Sequence, residues 1–515
     1  MYLTQVLHRS LQQDPDRTMT IYGERVRTVA ESVDRVSRLA GALAALGVQA
    51  GDRVGMLALN SDRYHEYLFA VPWLGAAVNP VNTRWSPTEI AYSLRESDTR
   101  TLLVDDAFAA LVPALREQFP ELDTVIFCGD DTCPASLLDY ETLIENTAPI
   151  EDTRTGGDAL LGVFYTGGTT GHPKGVMLSH DNLMLSALGV LAGGDALSQG
   201  RKLLHAAPMF HLADLAHWLM GSVGGATHTM VPAFSPPVVL DAIAAQGITD
   251  MLLVPTMVQM LIDDPRIGDY DVSGVQRILY GASPITESVL ERARKTFPNA
   301  GFTQAYGMTE LSPVAALLSD ADHDDPRLRR AAGRSAAHCE IRIVDPDDNE
   351  LPRGSVGEVV VRGENVMLGY WNRPKDSATA VRDGWMHTGD GGYMDERGYV
   401  FIVDRIKDMV ITGGENVYSA EVENALLAHP AVATAAVIGV PDPRWGERVH
   451  AVVVRRPGFE VTEEELREHC KTLIAGYKVP RSAEFVDGLP MSAAGKVLKR
   501  ELRKPYWDGI DSGVS

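Results

Sequence analysis

The strongest constraint on this chain is the way helical and strand periodicity exchange along its N-terminal half. Val29, Val33, Val36, Ala40 and Leu43 recur at helical spacing, and Gly47 supplies a stop, so the spacing predicts a helix over 29–46. Thr28 and Glu31 form a capping box at its start. An apolar strand is predicted over 53–59, a helix over 62–74 and a second apolar strand over 76–81. Continued alternation of this kind dictates an α/β protein with largely parallel sheets. Past residue 335 the texture changes to short strands, predicted over 340–344, 357–362 and 398–403, with a turn cluster at Asp345-Pro-Asp-Asp-Asn-Glu350. This is the pattern of a β-rich subdomain. Beyond 404–408 comes a compact α+β pattern: a helix from Ser419, strands over 432–438 and 450–454, and a helix capped by Thr462 and Glu465. Its apolar stripe is Leu466, Cys470, Leu473 and Ile474. A chain of 515 residues is too long for one core, so two or more domains are expected.

Composition narrows the partners. Acidic residues outnumber basic ones by 69 to 47, a net charge of −22, and such a surface repels nucleic acid and anionic membrane. No uncharged apolar run is long enough to span a bilayer; the run 431–440, between Pro430 and Pro441, is short and is expected as a buried strand. The four cysteines have no zinc-knuckle spacing, and the start of the chain lacks a basic, apolar leader, so the cytoplasm is the expected compartment.

The most informative segment is Tyr165-Thr-Gly-Gly-Thr-Thr-Gly-His-Pro-Lys-Gly175, placed between an apolar strand at 160–164 and the apolar residues 176–178. Four glycines let backbone N–H groups converge on an anion, three threonines add hydroxyl donors, and Lys174 adds charge. Lys174 is followed by Gly175, not Ser or Thr, so this is not a Walker A loop, and the G-x-G-x-x-G dinucleotide fingerprint is absent. The string resembles the signature loop of the adenylate-forming superfamily, which includes acyl-CoA synthetases and 4-coumarate–CoA ligases. In most members Ser stands where this chain has Gly167, so one hydroxyl donor is missing, while Thr166, Thr169 and Thr170 remain.

Further motifs follow in the family's order, and what they imply rests on that resemblance. Gly281-Ala-Ser283 resembles the segment whose backbone lines the adenine pocket. In Gln304-Ala-Tyr-Gly-Met-Thr-Glu310, Tyr306 resembles the ring that stacks on adenine, with Gly307 and Met308 beside it, and Thr309 the donor to the α-phosphate. Glu310 resembles the carboxylate that holds Mg²⁺, with Thr166 as a second ligand; a hard cation suits such oxygens. Asp390 and Arg405 resemble the ribose contacts, and Lys407 stands at the hinge position. Gly413 and Gly414 resemble the lining of a pantetheine tunnel, where a Cβ would narrow the channel. Trp445 falls either beside the pantetheine arm or in a purely structural place, and Lys496 resembles the catalytic lysine. Together with Thr166, Gly167, Gly168, Thr169, Thr170, Gly171 and Lys174 around the phosphates, these residues imply ATP, Mg²⁺ and coenzyme A as cofactors. The implied architecture is an N-terminal adenylation domain over 1–404, of two α/β sheet subdomains and a β-rich one. A hinge at 405–408 and a mobile α+β domain over 409–515 complete it.

The implied reaction is ATP-dependent ligation of a carboxylic acid to coenzyme A through an acyl-adenylate, the acid being a medium- or long-chain fatty acid or an aryl acid. Pro208-Met-Phe-His211 resembles the motif at the carboxylate end of the acyl pocket, with His211 either a gate or a packed aromatic. Asp214 is either a structural carboxylate paired with Arg, Lys or backbone, or a general base for an incoming nucleophile. An amine nucleophile would make the chain an amide bond synthetase. A non-catalytic ATP-binding scaffold would have lost Lys496, Glu310 or Asp390, and all three are present. Dimerisation is not readable from the sequence. The resemblance predicts separable defects: Lys496→Ala loses adenylate formation but still converts supplied acyl-AMP to thioester, while a bulky residue at Gly413 does the reverse. Measuring the two half-reactions separately checks both.

Overall fold

The structure, a computed structural model, describes residues 1–166, 173–193, 195–283, 285–405, 408–412, 415–491 and 497–507, with backbone alone at 405 and 416. It has two compact units, Met1–Ile341 with Val361–Met386, and Arg342–Val360 with His387–Ser515. The units do not coincide with a boundary at 404: 342–360 and 387–404 belong with the second.

The first unit holds two α/β sheets. In the eight-stranded sheet the order is Gly369–Tyr370, Lys174–Ser179, Leu160–Thr166, Ala77–Pro80, Arg53–Leu57, Thr101–Val104, Thr124–Phe127 and Leu138–Asp139. Strands from Leu160–Thr166 onward pair in parallel, whereas Lys174–Ser179 and then Gly369–Tyr370 add on antiparallel. The nine-stranded sheet runs Arg334–Ser335, Ala316–Leu318, Gly301–Tyr306, Arg277–Gly281, Asp250–Leu253, Lys202–His205, Thr227–Met230, Thr18–Tyr22 and Arg25–Thr28. Its middle is parallel and both its edges antiparallel. Parallel strands are covered on both faces, which is why Ala77–Pro80, Thr101–Val104 and Asp250–Leu253 are buried at every position. The predicted helix appears as Val29–Ala45 with both hydrogen bonds of its capping box.

The β-rich segment forms a sheet in the order Cys339–Val344, Gly357–Gly363, Trp385–Met394, Val381–Arg382, with Val400–Arg405 also on Trp385–Met394. The second unit ends in a sheet of order Glu415–Val417, Val410–Thr412, Gly446–Arg455, Val432–Asp442, with Ser482–Phe485 on Gly446–Arg455. Two local expectations change here. The strand predicted over 432–438 runs on through Pro441 to Asp442, because it is an edge strand and a residue without an N–H costs no ladder bond on the open side. The helix Glu463–Lys471 keeps its capping box but ends before Leu473, which is 53% exposed, so only Leu466 and Cys470 of the predicted stripe are buried. Among the described residues, no helix is long and apolar enough to cross a membrane, and all four cysteines are free.

The nine-stranded sheet packs its helices over a core containing Leu253, Ile278, Phe297 and Phe302. Phe302 is wholly buried, so Phe302→Ala is expected to cost about 3–5 kcal/mol, read as a lower urea midpoint for the first unit.

Candidate active site

The strands Leu160–Thr166 and Lys174–Ser179, which flank the Gly/Thr-rich segment, pair antiparallel. Thr166 and Lys174, its flanking residues, are register partners, and the Thr166 hydroxyl leans on the Lys174 carbonyl at 3.5 Å. Gly175 has no room for a side chain: a Cβ would lie 2.7 Å from Val163 Cγ1. The far side of the hairpin is held by residues 368–371. Leu368 N–H donates to the Met177 carbonyl at 3.0 Å and Trp371 N–H to the Gly175 carbonyl at 2.7 Å. Lys174 Nζ is 2.9 Å from Asp376 Oδ2 and sits 4.9 Å from the centroid of the Tyr370 ring. The hydrogen bond from Lys174 holds the Asp376 carboxyl below its ordinary range. At the start of the loop, the Tyr165 hydroxyl donates to the Glu96 carboxylate. Burial, then that carboxylate, push the phenol well up.

The segments of Gly281 to Ser283 and of Tyr306 meet at the carboxyl ends of two parallel neighbours, Arg277–Gly281 and Gly301–Tyr306, in register as Gly281 with Ala305. Crevices beyond such strand ends are where α/β sheets take ligands. The two backbones approach so closely that a Cβ at Gly281 would lie 2.3 Å from the Ala305 carbonyl oxygen, and one at Gly307 only 1.9 Å from that of Pro313. Ala282 adopts a left-handed φ of 66°, a conformation that costs a residue with a Cβ about 1–2 kcal/mol and turns the chain away from the sheet. Ser283, beside it, is half-buried. Met308 precedes the 3-10 turn Thr309–Leu311 and accepts the Leu311 N–H at 2.8 Å.

Glu310, only 6% exposed, is held at backbone and side chain. Met367 N–H donates to its carbonyl at 3.0 Å, and the Tyr370 hydroxyl donates to Oε1 at 2.9 Å. Among the described residues no three His, Cys, Asp or Glu side chains are grouped to hold a metal ion by themselves. A single anchored carboxylate suits Mg²⁺, which takes the rest of its octahedron from phosphate oxygens and water. Tyr370 and Asp376 were not among the residues singled out by sequence. A two-residue strand has no periodicity to reveal the one, and an acidic residue in a polar helix start says nothing of the other.

In the second unit, Asp390 and Arg405 are opposite one another across an antiparallel pair. Asp390 is 6% exposed. Its N–H donates to Thr388 Oγ1 at 3.0 Å, and Thr388 in turn donates to the Val359 carbonyl at 2.7 Å. Trp445 is half-buried, with the guanidinium groups of Arg444 and Arg481 at 4.8 and 4.6 Å from its ring. Gly167, Gly168, Thr169, Thr170, Gly171, Lys407, Gly413, Gly414 and Lys496 lie outside the described residues, as does the side chain of Arg405.

His211 is the N-cap of the helix Leu212–Gly224, its Nδ1 accepting the Ala213 N–H. Asp214, one turn on, is completely buried. Its partner is neither Arg, Lys nor backbone: Oδ2 lies 2.9 Å from His205 Nδ1. A chain continues from His205 Nε2 to His228 Nδ1 at 2.9 Å and from His228 Nε2 to Ser222 Oγ at 3.3 Å. The helix is thereby tied to two strands at both of its ends. Burial raises the Asp214 carboxyl, with His205 opposing, and holds His217 and His228 well below the ordinary histidine range. His65, which accepts the Trp218 indole N–H at 2.9 Å, is lowered by burial to about 3.

Against known proteins, the family model described as AMP-binding enzyme matches residues 7–371, and that described as AMP-binding enzyme C-terminal domain matches 421–496. The chain belongs to the AMP-binding enzyme family. It is 39% identical over 505 residues to a feruloyl-CoA synthase of Amycolatopsis sp, covering 97% of this chain and 98% of that protein. Among solved structures it resembles the o-succinylbenzoate CoA synthetase of Bacillus subtilis in complex with its acyl-adenylate intermediate, with a TM-score of 0.85 and 31% identity over 96% of this chain and 97% of that one. It also resembles the amide bond synthetase McbA of Marinactinospora thermotolerans, with a TM-score of 0.88 and 30% identity over 98% and 100%.

The buried histidines give the fold a pH signature. His65 is neutral when folded and has an ordinary value of 6.5 when exposed. Unfolding therefore takes up a proton between these values, and the stabilisation is complete above pH 6.5 and lost as pH falls towards 3. Urea midpoints measured across this window are expected to fall with pH, and less steeply in His65→Phe.

Proposed function

We propose that this chain is an ATP-dependent acid–coenzyme A ligase that works through an acyl-adenylate. The observation that carries the reading is the group Lys174, Tyr370 and Glu310, which sets a cation and a carboxylate on one side chain at the mouth of the Gly/Thr loop. A cation held beside phosphate donors, with a carboxylate anchored to face a hard metal ion, is the equipment for breaking a phosphoanhydride.

In the first step a carboxylate oxygen of the acid attacks the α-phosphorus of ATP. The bond to the bridging oxygen breaks, and pyrophosphate leaves with the electron pair. Thr166, the loop donors and Lys174 offset the charge of the terminal phosphates. Glu310, with Thr166, holds Mg²⁺, which when bound neutralises charge on the departing pyrophosphate. Tyr306 stacks on adenine between the backbones of 281–283 and 307–308, Thr309 and Lys496 reach the α-phosphate, and Asp390 and Arg405 hold the ribose. In the second step the thiol of coenzyme A attacks the acyl carbonyl, its proton goes to solvent, and AMP leaves. Rotation about Lys407, in the hinge 405–408, removes Lys496 and brings up Gly413 and Gly414, with Trp445 beside the pantetheine arm.

The acid is an aryl or a fatty acid, and the feruloyl-CoA synthase relative favours an aryl acid with a side chain. His211, fixed as a helix cap, shapes the carboxylate end of the pocket. Asp214 is a structural carboxylate: its burial and its bond to His205 tie the helix down. Unpaired thiols suit the cytoplasm as compartment.

A mass-resolved product assay tests the reading. The protein is incubated with ATP, Mg²⁺ and a panel of aryl and fatty acids, once with coenzyme A and once with simple amines. Thioester with release of AMP is the expected outcome. Acyl-AMP that persists with coenzyme A but gives amide with amines overturns it in favour of an amide bond synthetase.

A further inference from the structure

We infer that Tyr370 is a positioning residue for adenylate formation, one side chain that fixes the lysine of the phosphate loop and the metal-facing carboxylate relative to each other. The inference rests on the assignment of Lys174 and Glu310 to the ATP site.

Tyr370 is built to be rigid. It is 8% exposed and paired in register with Val176, two residues after Lys174. Its N–H donates to Ser377 Oγ at 2.8 Å, and Ser377 Oγ donates to the Arg373 carbonyl at 2.8 Å. The segment around it also grips both partners through backbone: Met367 N–H holds the Glu310 carbonyl, and Leu368 and Trp371 N–H hold the hairpin. Residues 367–371 are thus a splint between the loop hairpin and the turn that carries Glu310.

The contacts of the Tyr370 side chain with Glu310 and with Lys174 do different work. The terminal torsion of a glutamate is broad and nearly two-fold, so a free carboxylate presents either oxygen in many directions. The phenol hydroxyl, 2.9 Å from Oε1, chooses one oxygen and one plane. The ring does the same for Lys174 without consuming its charge. A cation above a neutral ring stays a cation available to phosphate, whereas the pairing with Asp376 must be exchanged when a polyphosphate arrives. That exchange is cheap, since Lys174 and Asp376 are 27% and 38% exposed and such pairs are worth little. Asp376 is the partner Lys174 leaves, and Tyr370 the one it keeps.

The test separates the two contacts. Tyr370→Phe keeps the ring and removes the hydroxyl. It is expected to raise the Mg²⁺ concentration for half-maximal adenylation about tenfold, the usual scale for losing a group that orients a metal ligand. It should weaken equilibrium binding of Mn²⁺ to the ATP-loaded protein, followed by electron paramagnetic resonance, by the same factor. Conversion of supplied acyl-AMP to thioester is expected to be unchanged. Tyr370→Leu removes both contacts and is expected to raise the KM for ATP as well. Glu310→Gln and Lys174→Ala serve as controls for the assignment itself. If both adenylate like the wild type, the ATP-site reading fails. If both are impaired while Tyr370→Phe keeps wild-type metal dependence and Mn²⁺ binding, the inference about Tyr370 alone is overturned. Equal loss of both half-reactions in Tyr370→Phe, with a lower Tm, would reduce Tyr370 to a packing residue and also overturn it.

Discussion

The grouping of Lys174, Tyr370 and Glu310 depends on a change of strand direction. Parallel neighbours need a long crossover, so a short loop cannot join them. A short segment can connect adjacent strands only where their pairing is antiparallel, and in the eight-stranded sheet Leu160–Thr166 and Lys174–Ser179, which flank the Gly/Thr-rich residues, pair that way. The hairpin then becomes an edge, which Gly369–Tyr370 covers. That covering strand also delivers the aromatic ring to Lys174 and the hydroxyl to Glu310. Edge protection and site construction are one event in this fold.

Much of this was legible in the residues, for reasons that can be named. The helix Val29–Ala45 declared itself because cap, stripe and stop agreed, and the hairpin because an apolar strand led into a loop with no helical signal after it. Asp390 and Arg405 are each picked out by motif, and their backbones are partners in an antiparallel register that the motifs do not express. What stayed hidden depends on contacts between distant segments. Tyr370 lies far along the chain from the loop it supports. The partner of Asp214 is a histidine at the end of a neighbouring strand, a choice that local spacing cannot express. Leu473 failed as a core residue because the helix stops at Lys471, although the apolar pattern continues. The second unit takes in residues 342–360 and 387–404 of the β-rich segment, which sequence texture groups with what precedes.

Charge in the first unit is handled in two ways. Carboxylates taken out of water are matched: Asp62 by Arg25, and Glu66 by Arg35 and the Tyr140 hydroxyl. Breaking one side of such a pair leaves an uncompensated charge, so these contacts fix geometry more than they add stability. Around the helix Leu212–Gly224 the fold instead uses imidazoles that burial keeps neutral at His65, His217 and His228. At His65 and His228 the neutral rings take part in hydrogen bonds without the penalty of ions, and His217 packs as an uncharged ring.

The closeness of backbone to backbone at Gly281 and Gly307 carries a consequence for how this enzyme can diversify. The surface at these two glycines is made of main chain, and side chains are excluded there by carbonyls 2.3 and 1.9 Å from where a Cβ would stand. Exchange of single residues has no purchase on such a surface, since a new group at Gly281 meets the backbone of the neighbouring strand and one at Gly307 meets the backbone at Pro313. The helix after His211, by contrast, presents side chains alone. On the proposed function, selection or engineering for a different acid therefore has a soft face to work on, while the preference for nucleotide is locked into backbone.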